Sequence, residues 1–200
     1  MTDQSVSLQG RKQQLVQGII WDAAIEVFTE RGFEATTVEQ IAEAAGVSRR
    51  SFFRYFASKD HVLGGGIVLF GQALSEAVKK APEGFSPLEV LRYTVSAVAQ
   101  QISVLPRSKK IIALSETSMA AKQALRSRLP EAEKMLVEAY ATRLLGTVNA
   151  NLLQARMLAS LTFTLVDLIL GTWMKEDPLD ISAAIDIVSA SFGSLVVPLR

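Results

Sequence analysis

Between Thr36 and Asp60 the chain reads TTVEQIAEAAGVSRRSFFRYFASKD, a stretch that permits two short helices, one tight turn and little else. Thr36 and Thr37 are each followed three residues on by Glu39 or Gln40, so either can head a capping box. Val38, Ile41, Ala42 and Ala45 then share one face of a short helix. Gly46 supplies the left-handed turn that ends it. Ser48 caps the following helix, and Val47 and Phe52 stand at the two positions of a hydrophobic staple. Phe56 extends the same apolar face by one turn. Ser58 caps a further helix, with Asp60 in its first turn, where a negative charge is favourable. Two helices of this size around a glycine turn form a helix-turn-helix.

The second of these helices carries its charge in one place. Arg50 and Arg54 lie roughly opposite the Phe52–Phe56 face, and Arg49 and Phe53 lie to one side. Its first turn offers Ser48, Arg49, Arg50 and Ser51, at the end of a recognition helix that touches base edges. An arginine fork matches O6 and N7 of guanine, and it also clamps phosphate. Thr37, Tyr55 and Lys59 suit phosphate contacts, and helix N-termini hold backbone oxygens. The patch is local. Met1–Asp60 holds seven Lys/Arg against eight Asp/Glu, whereas Val47–Asp60 holds four against one, so any field that attracts nucleic acid belongs to this helix and not to the whole head.

The rest of the chain follows the same helical period. Ile20, Ala24, Val27 and Phe28 form a stripe that Gly32 ends. Breaks near 81–87, Pro106, Pro130, 149–151 and 176–178 divide the remainder into about five helices, and no strand alternation is visible. The chain has 200 residues, 49% of them hydrophobic, enough for a sizeable core. The expectation is all-α: a flexible arm over residues 1–10, a three-helix head over 11–58 with its helix-turn-helix at about 37–56, and a larger helical bundle over 59–200. The glycines 64–66 weaken the fourth helix locally; they serve either to transmit movement or to allow close packing.

Several function classes drop out. The absence of cysteine removes disulfides, thiolate metal sites and a cysteine nucleophile, and the single histidine removes multi-histidine metal sites. No motif calls for a cofactor. Lack of cysteine and of an apolar leader fits the cytoplasm. Residues 157–174 approach the length of a membrane span, but Asp167 lies inside them, so a buried helix is expected and no membrane partner.

Ile19–Leu63, IIWDAAIEVFTERGFEATTVEQIAEAAGVSRRSFFRYFASKDHVL, resembles the N-terminal DNA-binding domain of the TetR/AcrR family of bacterial transcriptional regulators. The first-helix stripe, the Gly-Phe, the Thr-Thr, the Ile-Ala, the Ala-Gly-Val-Ser and the final Phe-x-x-Lys carry the likeness over about a quarter of the chain. The resemblance implies about nine helices, a homodimer on a palindromic DNA operator, a C-terminal cavity for a small-molecule effector, and repression relieved by that effector. It places Thr36 and Thr37 near phosphates and Ser48, Arg49, Arg50 and Ser51 at the bases. Phe53 stands where a tyrosine is common, keeping apolar contact without the hydroxyl. Tyr55 replaces a frequent histidine, and Lys59 matches the family's lysine. The resemblance also makes the two last apolar segments a dimer interface, with Leu161, Leu165, Leu168, Ile185, Val188 and Phe192 at helical spacing. Phe70, Met119, Phe163 and Trp173 are candidate cavity-lining residues, favouring an apolar or amphipathic ligand. The competing readings are a helical enzyme, which lacks a recognisable catalytic constellation here, and a helical adaptor that binds protein through its Arg-aromatic helix.

Overall fold

The computed structural model describes residues 8–103, 105–144 and 148–173 and, beyond these, Ala183, Asp186, Ile187 and Ala190. Among the described residues there are nine helices and no strand: α1 (Leu8–Arg31), α2 (Val38–Ala44), α3 (Arg49–Tyr55), α4 (Lys59–Lys80), α5 (Pro87–Ser103), α6 (Pro106–Thr117), α7 (Met119–Arg126), α8 (Leu129–Ala141) and α9 (Val148–Trp173). The all-α expectation therefore holds.

Two compact units divide the chain, one of Met1–Ile67 with Lys110–Arg128, the other of Val68–Lys109 with Leu129–Arg200. In the first, Ile20, Ala24, Ile25 and Phe28 of α1 meet Ile41, Phe52, Val62 and Leu63 in one core. Gly32 ends α1 at φ +83°, its N–H donating to Phe28 O, and Phe33 folds back onto Phe28 with ring centroids 4.9 Å apart. This unit also recruits Leu114 of α6 and Ala121, Ala124 and Leu125 of α7, which come from far along the chain. The glycines of α4 show why. A Cβ on Gly64 would stand 2.7 Å from Arg128 Cγ and 2.8 Å from Ala124 O, and one on Gly66 would stand 3.1 Å from the Trp21 ring. These two glycines permit close packing, and α4 runs through them as one helix.

The second unit is built on α8 and α9, with α5 against α9. Leu74, Val78, Leu91, Val95, Leu136, Ala155, Leu158, Val166 and Ile169 form its core. Gly71 brings α4 close to α8, since a Cβ there would lie 2.6 Å from Ala132 Cβ. Arg143 closes the end of α4: its guanidinium donates to Ala81 O at 2.8 Å and Pro82 O at 2.7 Å, with longer bonds to Val78 O and Lys79 O. A few hydroxyls sit in this apolar interior, those of Thr94, Tyr140 and Thr162 among them. Tyr140 Oη lies 2.8 Å from Thr162 Oγ1, which itself donates to Leu158 O, and both side chains are buried. Burial pushes the Tyr140 phenol up from its ordinary pKa, against the opposing effect of the Thr162 hydroxyl.

By length and composition α4 and α9 are apolar enough to cross a membrane. Each, however, places an apolar face in a core of this protein: Val62, Leu63, Leu74 and Val78 from α4; Ala155, Leu158, Val166 and Ile169 from α9.

Candidate nucleic-acid interface

The geometry of α2 and α3 is set by two caps and a turn. Thr37, not Thr36, heads the capping box: Gln40 N–H donates to Thr37 Oγ1 at 3.3 Å, and Gln40 Oε1 accepts from Thr37 N–H at 3.0 Å. At the other end Gly46 sits at φ +65°. Its N–H donates to Glu43 O and that of Val47 to Ala42 O, which satisfies carbonyls that the end of α2 would otherwise strand. Ser48 caps α3 by accepting from Ser51 N–H at 3.1 Å, and the two hydroxyls are 3.0 Å apart. Phe52 is fully buried, and its ring centroid is 6.0 Å from that of Phe56. A two-turn helix held by one buried aromatic and two caps presents its outer face in one orientation.

On that face Arg49, Arg50, Phe53 and Arg54 are exposed, with Ser51 and Tyr55 half-buried. Phe53 is 45% exposed, an outlay of apolar surface that the unit's own core does not use. Arg49 Nε is 2.9 Å from Glu39 Oε1, and its guanidinium stands 5.5 Å from the Phe53 ring centroid. Arg54 lies 4.9 Å from the Tyr55 ring centroid and donates to Tyr55 Oη at 3.2 Å. Both partners of the Arg49–Glu39 pair are more than half exposed, so it holds the arginine by ~1 kcal/mol or less and yields to a better acceptor. Glu39 and Arg49 meet only because the turn folds α3 against α2; ten residues of separation gave no sign of it.

Two expected phosphate contacts are otherwise engaged. Thr36 is buried and its hydroxyl donates to Gly32 O at 2.8 Å, because the chain leaving α1 needs that carbonyl satisfied before α2 starts. Lys59 points back across the head. Its ammonium donates to Phe33 O at 2.7 Å, Glu34 O at 3.0 Å and Thr36 O at 2.8 Å, and it stands 4.9 Å from the Phe33 ring centroid. An ammonium has three protons, and here all three are used. Next to this staple, Ser118 Oγ donates to Glu34 Oε1 at 2.6 Å while capping α7 by accepting from Ala121 N–H. The Ser118 hydroxyl is the main reason the Glu34 carboxyl titrates below its ordinary value, with Lys59 a smaller contributor. Nothing local in the sequence marks Ser118 or Glu34 as a pair.

The other expected site residues scatter. Phe70 and Phe163 do come together, with ring centroids 6.0 Å apart at the edge of the second unit's core. Met119 does not join them: it is 70% exposed, standing just after the Ser118 cap in the first unit. Leu165 is buried in the core of the second unit, which takes it off the outer face of α9; Leu161 is half-buried and Leu168 exposed. The side chain of Trp173 and all of Ile185, Val188 and Phe192 lie outside the described residues.

Comparison with known proteins agrees with the geometry. Residues 20–64 match the family model for bacterial regulatory proteins of the tetR family. The chain is 37% identical over 101 residues to the HTH-type transcriptional regulator TcmR of Streptomyces glaucescens, a match covering 50% of this chain and 45% of TcmR. It thus spans less than half the length of that relative. Its fold matches native NalD, the secondary repressor of the MexAB-OprM multidrug efflux pump in Pseudomonas aeruginosa, with a TM-score of 0.64 at 20% identity over 94% of this chain and 100% of that one. It also matches Thermus thermophilus FadR, a TetR-family transcriptional repressor in complex with lauroyl-CoA, with a TM-score of 0.53 at 25% identity over 92% and 96% of the two chains. The helix-turn-helix of α2 and α3 and the family match across it agree: residues 20–64 form a DNA-binding domain of the tetR-family type, and the helical fold of the described residues is shared with regulators of that family.

Proposed function

We propose that the chain is a homodimeric repressor that places α3 of each copy in the major groove of a palindromic operator and leaves it when a small amphipathic ligand binds the second unit. The observation that carries this reading is the outer face of α3, where three arginines and an unburied phenylalanine project from a helix locked by Phe52. Arg49 and Arg50 read base edges. Ser48 and Ser51 line the same first turn, Phe53 takes a thymine methyl or sugar, and Thr37, Arg54 and Tyr55 hold phosphates. The two recognition helices then stand about one helical turn apart, roughly 34–36 Å. Thr36 and Lys59 shape the surface from behind and do not touch DNA.

For the effector, the Thermus FadR complex with lauroyl-CoA supports an acyl ligand, and the core of the second unit is apolar with buried hydroxyls, Thr94 and the Tyr140–Thr162 pair, able to meet a polar group. Phe70 and Phe163 flank that core. Helix α4 contributes Lys59–Ile67 to the first unit and Val68–Lys80 to the second, and carries the coupling. A coupling of about 1–3 kcal/mol weakens DNA binding severalfold to a hundredfold.

The test is selection of duplexes from a random pool by the purified chain, followed by a screen of acyl and other amphipathic compounds for release of the winner. A palindromic winner that loses affinity steeply as salt rises supports the reading. Failure to enrich any sequence refutes it.

A further inference from the structure

We infer that α9 carries a self-complementary charge register, in which Arg156 pairs with Asp167 of a second copy packed antiparallel across a two-fold axis at Thr162. This rests on the homodimer proposed above and specifies its partner face, its direction and its register.

Thr162 is fully buried and marks the inner side of α9. The residues exposed on the outer side fall into pairs equidistant from it: Ser160 with Thr164, Met157 with Asp167, Arg156 with Leu168 and Leu153 with Gly171. At 100° per residue all eight lie within about 60° of the direction opposite Thr162. They divide into two flanks. Arg156 and Asp167 stand on one, Met157 and Leu168 on the other, with Ser160 and Thr164 near the middle.

The apolar members are unusually open for a soluble helix: Leu153 is 73% exposed and Met157 and Leu168 are each 53% exposed. Such a stripe calls for a cover, and the charges select which. A two-fold axis perpendicular to α9 reverses the helix but keeps each flank on its own side. Arg156 lies six residues before Thr162 and Asp167 five after, so in the pair they stand level to within one residue, about 1.5 Å along the helix. On the opposite flank Met157 meets Leu168 of the partner subunit. The small Ser160 and Thr164 fall at the crossing, where backbones approach closest; the Thr164 hydroxyl is already turned inward to Ser160 O. A parallel pair would instead set Arg156 against Met157 of the partner subunit and Asp167 against Leu168 of the partner subunit, burying each charge on an apolar side chain. An unrelated apolar surface leaves both charges uncompensated. A second copy satisfies the two charges and covers the apolar stripe with one operation.

The experiment is a charge swap in the full-length chain, read by sedimentation velocity and native mass spectrometry. Arg156→Asp faces two acidic pairs in its homodimer, and Asp167→Arg faces two basic pairs. Each is expected to dimerise at least about tenfold more weakly than wild type, the cost of like charges brought together. An equimolar mixture is expected to form the heterodimer almost exclusively, because its two pairs are both Asp with Arg. The double variant R156D/D167R is expected to regain the wild-type homodimer. Helix content is checked by circular dichroism. Should a swap variant misfold, Arg156→Gln and Asp167→Asn take its place, each expected to weaken dimerisation without creating a preference in the mixture. Wild-type affinity in both single variants, with a statistical mixture of homo- and heterodimers, overturns the register while leaving the homodimer standing. A wild-type chain that is monomeric throughout the micromolar range overturns both.

Discussion

Lys59→Met separates two accounts of a residue that, on sequence pattern alone, belongs to the DNA contact. Methionine keeps most of the side-chain stem and removes the ammonium, which stands over the Phe33 ring. Three charge-assisted hydrogen bonds disappear, to Phe33 O, Glu34 O and Thr36 O. A hydrogen bond to a charged group contributes about 1.5–3 kcal/mol, but these three share one cation, and part of the freed carbonyl surface is reached by water. The net loss is therefore set nearer one and a half such bonds than three, at about 2–4 kcal/mol. Total stability for a domain of this size is typically about 5–15 kcal/mol, so the loss is a large part of what holds the head.

Urea unfolding followed by circular dichroism is the assay. With a slope of about 2 kcal/mol per M, the midpoint of the head falls by roughly 1–2 M. Operator binding, measured below that midpoint at several salt concentrations, keeps the wild-type dependence on salt, because no phosphate contact has been removed. The opposite pattern refutes the reasoning. An unchanged urea midpoint together with a salt slope shallower by about one means that the ammonium serves a phosphate.

Further outcomes follow from neighbouring details. Gly64→Ala meets a backbone oxygen at 2.8 Å and loses about 1–3 kcal/mol in urea unfolding, whereas Gly65→Ala, with nothing nearer than 4.0 Å, gains up to about 1 kcal/mol from helix propensity. Arg50→Ala loses about 1–3 kcal/mol on the selected operator and relaxes preference at one base position, seen by comparing affinities across operator variants. Arg143→Ala strips the carbonyls that end α4 of their donor and lowers stability by about 2 kcal/mol, and Lys at this position restores only part of it in the same unfolding assay, since one ammonium cannot reproduce the fork. Glu34 contributes stability that is complete above the ordinary glutamate pKa and fades as pH falls through its lowered value; Glu34→Gln therefore narrows the gap between thermal midpoints at neutral and acid pH.

What the sequence disclosed and what it withheld divide by the range of the contacts. The Gly46 turn and the Ser48 cap are settled by residues within five positions of one another and stand as the pattern indicates, and of the two threonines able to head the capping box the structure uses Thr37. Leu165 shows the limit. Helical spacing puts Leu161, Leu165 and Leu168 on one apolar surface, but α9 is apolar nearly all round, and only its packing against α5 and α8 decides that Leu165 faces inward and Leu168 outward. Lys59 and Arg143 show it again. A surface cation with no near partner in sequence reads as available to a ligand, yet each reaches at least 23 residues back to a row of carbonyls. Main-chain oxygens leave no trace in a pattern of side chains, and every helix end presents several of them. A basic residue at the first or last turn of a helix in this fold is therefore a candidate closure before it is a candidate contact. Arg49 and Arg54 of α3 differ for a physical reason: their partners are side chains, Glu39 and Phe53 exposed and Tyr55 half-buried, and such surface pairs hold a guanidinium weakly enough to leave it open to a better acceptor.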